Sequence, residues 1–124
     1  MIQSKHKYEI ADIVYVEENE RGGHFFIIID DNGEAVPAEY MSLITSTNTS
    51  KTNKNNKRYP FNEELKPSSK TGLNRESHVK CDQLIIVDAK NIMYKVGEVP
   101  ASDFKRFINA YAQYLESINN IEVN

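Results

Sequence analysis

At 124 residues, 40% apolar and 27% charged, the chain has the make-up of one soluble globular domain, residues 1–124, with a single modest core. No run of about 18 apolar residues is present to span a membrane, Met1–Lys7 lacks the apolar region of a secretory signal, and the lone Cys81 excludes an internal disulfide, so a cytoplasmic protein is expected. The net charge of −3 is uneven, with three bases against nine acids before Ser46 and eight bases against three acids from Ser46 to Lys80; a basic middle suits a polyanion partner, whereas the acidic whole argues against sequence-blind duplex binding, which needs many phosphate contacts.

In chain order, Ile10–Val16 is rich in β-branched residues near alternation and predicts a strand. A polar turn follows from Glu17 to Gly23. His24–Ile29 is a short apolar run bounded by Gly-Gly and Asp-Asp-Asn-Gly, the pattern of a buried strand closed by a turn in which Asn and Gly tolerate positive φ. Tyr40–Thr45 predicts a third strand. The Ser/Thr/Asn/Lys-rich stretch around 47–57 has no apolar anchor and predicts a flexible basic loop. Arg58–Phe61 suits the start of an edge strand because of Pro60. His78–Lys80 and Gln83–Asp88 give two extended pieces with a kink between, and Ile92–Val99 a last strand. Phe104, Phe107, Ile108, Tyr111, Leu115 and Ile118 then recur at helical spacing, which predicts an amphipathic helix over 102–118 with Ser102 as N-cap. The fold class expected is mainly β with a C-terminal helix, a small antiparallel barrel.

Three separated fragments, Gly22-Gly23-His24, Thr45-Ser46 and Ser77–Gln83, carry the candidate chemistry. Lys80, Asp82 and Gln83 directly precede the apolar run Leu84–Val87, which would hold their backbone rigid. In extended chain Lys80 and Asp82 point one way and Cys81 the other, so Cys81 is expected inside as a small hydrophobe, with Phe104, Phe107 and Tyr111 also in the core. A cation and a carboxylate on one face can share proton-transfer work or form an ordinary surface ion pair. His24 carries an imidazole, a group whose unperturbed pKa lies near neutrality, and can serve as acid or base. The hydroxyls of Thr45 and Ser46 can bond a phosphate or nearby backbone. Arg75 reads as a phosphate contact or a solvated turn residue, with Ser77 and His78 at the edge of the site. The chain has no GxxxxGK, GxGxxG, CxxC or HExxH pattern, and His6, His24 and His78 lack metal-site spacing. Chemistry without a metal or cofactor is therefore expected. RNA cleavage suits such equipment, because the ribose 2′-hydroxyl is itself the nucleophile and the protein need supply only a base, an acid and donors to the phosphorane.

The order Ile10-Ala11-Asp12-Ile13-Val14, Gly22-Gly23-His24, Leu43-Ile44-Thr45-Ser46, Gly72-Leu73 with Ser77, Val79-Lys80-Cys81-Asp82-Gln83 and Val87-Asp88-Ala89-Lys90, continuing through Gly97-Glu98-Val99-Pro100, resembles the MazF/PemK/Kid toxins over nearly the whole chain. Ala11 stands where members usually have Gly, and His24-Phe25 where they usually have Arg-Pro. The resemblance implies an SH3-like barrel, a homodimer, and metal-independent cleavage of single-stranded RNA by a toxin that a cognate antitoxin neutralises. On that reading Asp82 or His24 takes the 2′-hydroxyl proton, Lys80 and Thr45 stabilise the phosphorane, and His24 or Arg75 protonates the leaving oxygen. Ser46, Lys51, Lys54, Lys57, Arg75, Ser77, His78 and Gln83 contact RNA. The alternatives are a non-catalytic SH3-like barrel that binds RNA or a protein partner, and a related toxin held by an RNA antitoxin.

Overall fold

The computed structural model describes residues 7–17, 22–47, 49–54 and 56–123. Its strands are β1 (Asp12–Glu17), β2 (Gly23–Asp30), β3 (Glu39–Ser46), β4 (Asn62–Leu65), β5 (Ser77–Asp88) and β6 (Ile92–Glu98), followed by helix α1 (Ala101–Val123). All pair antiparallel in one sheet of order β4-β5-β3-β2-β1-β6. The mainly β architecture with a terminal helix is the expected one; the sheet is barrel-like but is not closed by strand pairing.

Period-two alternation divides the apolar residues between two cores. Ile13, Ile27 and Leu43 align across β1, β2 and β3 and join Leu65, Val79, Cys81, Phe107 and Ala110 in a core beneath α1. Their neighbours Val14, Phe26 and Ile28 face the other way and pack with Tyr40, Val87 and Ile92. Val87 on β5 and Ile92 on β6 have three strands between them in the sheet order. Their sharing one core shows how far the sheet curls.

The β4–β5 connection bridges the gap that curling leaves. The Glu98 amide donates to the Lys70 carbonyl at 2.9 Å, and Leu73 enters the core under the helix. Two glycines permit that approach: a methyl on Gly97 would strike backbone atoms of Lys70 and Thr71, and one on Gly72 the Val96 carbonyl.

Several elements differ from the sequence reading. β1 begins at Asp12, because Ala11 has φ +78° in the turn closed by the Asp12 amide on the Glu9 carbonyl at 3.0 Å. The edge strand starts at Asn62, after Pro60. Ser102 lies inside the first turn of α1 instead of capping it; the Phe104 amide already bonds the Pro100 carbonyl at 2.9 Å, and the helix continues past Ile118 to Val123. The Asp31-Asn32-Gly33 turn forms as read, with φ +59° and +72° at Asn32 and Gly33 and the Glu34 amide on the Asp31 carbonyl at 3.2 Å. Of the polar turn at 17–23, residues 18–21 lie outside the described residues, as do positions 48 and 55 of the basic segment. No helix among the described residues is long and apolar enough to cross a membrane.

Candidate RNA-binding site

The ends of β2 and β3 build the first wall. Phe26 pairs with Ile44, so Phe25 and Thr45 follow one step on. The Thr45 hydroxyl donates to the Phe25 carbonyl at 3.2 Å. Thr45 is buried and pairs with Val79 of the helix-side core. The next step puts Ser46 opposite fully buried His78 and brings His24 beside Val16, both on the other face of the sheet. His24 is exposed.

A cavity of about 300 Å³ opens on the Thr45 side, lined by Phe25, Thr47, Leu73, Asn74, Arg75 and Ser77, with Gly72 at its edge. It collects three segments distant in sequence: the start of β2, the end of β3 and the turn that leads into β5. Arg75 is exposed and is the one charged residue in that lining; Ser77 is buried and its hydroxyl donates to the Arg75 carbonyl at 3.2 Å, which ties the arginine backbone to the strand. The result is a guanidinium with hydroxyls around it in an open hollow, suited to a phosphate.

Lys80, Asp82 and Gln83 do not line that cavity. Between the pairs Thr45–Val79 and Leu43–Leu84, one residue of β3 stands against four of β5, so Lys80–Gln83 bulge away from β3. Lys80 pairs with Asn62 of β4, and the Cys81 amide bonds the Phe61 carbonyl at 3.0 Å. No ion pair links Lys80 to Asp82, so each is left for another partner; Asp82 Oδ1 is buried with no hydrogen bond. Gln83 is exposed. Cys81 is fully buried, and desolvation pushes its thiol up to about 12, so it is no nucleophile.

The basic segment is fastened to β4 more than its composition suggests. Thr49–Lys51 forms a 3-10 turn and Thr52 is buried. The Asn53 amide donates to the Asn62 carbonyl at 2.7 Å, the Asn62 side chain to the Lys51 carbonyl at 2.9 Å, and the Asn53 side chain to Glu63. Lys54 pairs with Glu64 at 2.9 Å and Lys51 lies over the Tyr59 ring at 5.8 Å, while Lys57 is exposed. A larger hollow of about 490 Å³ beside this segment is lined by the bases Lys54, Lys66 and Arg106 and the acids Glu63, Glu64 and Asp103, with Asn53. Arg106 reaches Glu63 and Asp103 at 2.7 Å each, so its charges neutralise one another and tie α1 to β4. Among the described residues no three His, Cys, Asp or Glu side chains cluster to hold a metal ion.

Of the candidate residues read from the sequence, Arg75 and Ser77 line this cavity and Thr45 sits behind it on Phe25; Phe25, Thr47, Leu73 and Asn74 join them there without having been singled out as site residues. Each is a direct chain neighbour of a residue or motif already singled out, which was the available signal.

Comparison with known proteins accords with this architecture. The family model described as PemK-like, MazF-like toxin of type II toxin-antitoxin system matches residues 9–115. No curated protein sequence matches the chain. Among solved structures, it is similar to an endoribonuclease in complex with its cognate antitoxin from a mycobacterial species, with TM-score 0.66 and 16% identity over 86% of this chain and 92% of that one. It is likewise similar to the Mycobacterium tuberculosis toxin MazF-mt6, at 0.63 and 14% over 85% and 96%, and to MazE-MazF from Deinococcus radiodurans, at 0.67 and 15% over 89% and 96%. At these identities the structures establish a shared fold, and the family match covers nearly all of the folded chain: the protein belongs to the PemK-like, MazF-like toxin family.

Proposed function

We propose that the protein is a metal-independent endoribonuclease toxin that cuts single-stranded RNA, with the scissile phosphate seated in the hollow formed by Phe25, Thr47, Arg75 and Ser77. The carrying observation is Arg75, an exposed guanidinium in a cavity otherwise lined by neutral residues, two of them hydroxyl-bearing. Endoribonuclease activity in the mycobacterial neighbours supports the reading. The 2′-oxygen attacks phosphorus, the bond to the 5′-oxygen breaks, and the products are a 2′,3′-cyclic phosphate and a 5′-hydroxyl. Arg75, with the hydroxyl of Thr47, stabilises charge on the phosphorane, while Thr45, bonded to the Phe25 carbonyl, holds that wall in place. A guanidinium does not release its proton near neutrality, so the transfers fall to titratable groups. His24, exposed on the opposite face of the sheet, and Asp82, on the β5 bulge, are the titratable groups proposed for them, and both lie outside the cavity lining. Lys80, Gln83 and the 51–57 segment then contact RNA beyond the scissile step. A homodimer is proposed from exposed Leu84 and Ile86 on β5 and Leu115 on α1, and a protein antitoxin from the complexes of the neighbours.

The test is incubation of the purified protein with a diverse single-stranded RNA pool in excess chelator, with mapping of product ends. Cleavage leaving cyclic phosphates is expected. Cutting that needs added divalent metal rejects the mechanism, and no cutting by folded protein favours the non-catalytic barrel.

A further inference from the structure

An aromatic row continues from the cavity onto the open face of the sheet. Phe25 lines the cavity; the Tyr15 ring lies 5.5 Å from it at 58°, and the Tyr94 ring stacks on Tyr15 at 5.2 Å and 20°. The register makes this row, since Tyr15 pairs with Phe25 on one side and with Tyr94 on the other. All three project on the face that carries Ile13 and Ile27, but beyond the part α1 covers. Tyr94, on edge strand β6, is 53% exposed.

The row is rigidly seated. A methyl on Gly23 would run into the Tyr15 ring, so the second glycine of the Gly-Gly pair leaves the floor on which that ring lies. The Tyr15 hydroxyl donates to Glu17 at 3.3 Å, and desolvation followed by that carboxylate holds the phenol above its ordinary pKa. The result is a pre-ordered aromatic step whose last ring is about half exposed, joined to a hollow holding a guanidinium.

We infer that Phe25, Tyr15 and Tyr94 form a base-stacking platform, on which a nucleotide neighbouring the scissile phosphate lays its base against Tyr94. This rests on the endoribonuclease reading and adds a contact to it. Ring-on-base stacking tolerates any base and orders single strands without duplex recognition. Charge sets the direction of the strand. Glu17 repels phosphates at the Tyr15 end, while Arg75 attracts them at the cavity, so the backbone runs by Arg75 and the base reaches outward to Tyr94.

The experiment uses the RNA sequence that the wild-type protein cuts, made uncleavable by one 2′-deoxy substitution and carrying 2-aminopurine at successive positions. One position should lose fluorescence on binding wild-type protein. Tyr94→Ala should abolish that quench and weaken binding roughly 5- to 150-fold, the range for one base–aromatic stack. Tyr94→Phe should keep both the quench and the affinity. If Tyr94→Ala binds, quenches and cuts as wild type does, the platform is rejected and the endoribonuclease reading stands. If it instead changes the oligomeric state, or slows saturated cleavage with binding intact, the row is a protein contact or a catalytic support and the inference fails. Wild-type protein that neither cuts nor binds RNA removes both readings.

Discussion

Gly97 offers a direct test of how the open sheet is closed. Its place on β6 leaves no room for a Cβ, because backbone atoms of Lys70 and Thr71 press against it. Backbone cannot rotate aside as a side chain can, so Gly97→Ala must push the 68–73 connection away. That breaks the 2.9 Å bond from the Glu98 amide to the Lys70 carbonyl, at about 1 kcal/mol. It also draws Leu73 out of the helix-side core, at about 1.5–3 kcal/mol. The total is about 2.5–4 kcal/mol, or roughly 10–16 °C in melting temperature for a domain of this size.

Gly33→Ala is the control. Gly33 has φ +72° and nothing within 4 Å of a Cβ, so only left-handed strain of about 1–2 kcal/mol opposes the methyl, partly offset by a gain of roughly 0.4–1 kcal/mol from a stiffer unfolded chain. Urea and thermal unfolding of both variants measure the difference. Because Leu73, Asn74 and Arg75 line the cavity, Gly97→Ala should also reduce RNA cleavage at temperatures where it stays folded. If Gly97→Ala is no less stable than Gly33→Ala, the seam is loose and this account of closure is wrong.

Phe107 is fully buried under the sheet, and Phe107→Ala should lose roughly 3–5 kcal/mol to the cavity, read by chemical denaturation. Arg75→Ala should lower saturated RNA cleavage by roughly two orders of magnitude, as for removal of a charge-stabilising donor, with the melting temperature unchanged; normal cutting would move the site elsewhere. Replacing Lys51, Lys54 and Lys57 together by Ala should weaken RNA binding and flatten its salt dependence through lost counterion release; since Lys54 is paired with Glu64, an unchanged slope would mean that the segment serves only to brace β4. The Cys81 thiol, raised to about 12 by desolvation, holds its proton longer folded than unfolded. Its stabilising effect is complete below its ordinary pKa near 9 and is lost as pH rises toward 12, so wild type should lose stability across that window more steeply than Cys81→Ala, and alkylation at pH 9 should follow global unfolding.

Local chemistry alone determined the strands, the Asp31-Asn32-Gly33 turn and the helix, because β-branched runs, positive-φ residues and helical spacing act over a few neighbouring positions. The same locality showed Thr45 and Arg75 as candidate phosphate contacts beside ordinary structural readings, and Ser77 as a residue at the edge of the site. Tertiary structure decided what they meet. The one-against-four mismatch between β3 and β5 takes Lys80–Gln83 out of step with β3, and no count along one strand reveals a bulge that its partner imposes. Thr45 and His24 fall on opposite faces of the sheet because the Phe26–Ile44 register fixes which neighbour turns inward. The basic segment had no apolar anchor to read, yet Asn53 and Asn62 hold it by hydrogen bonds that exist only once β4 is beside it. The aromatic row depends on Tyr94, nearly eighty residues from Tyr15, arriving at the free edge of β1. Composition and spacing set which groups are available, and pairing across strands distant in the chain sets which of them share a surface.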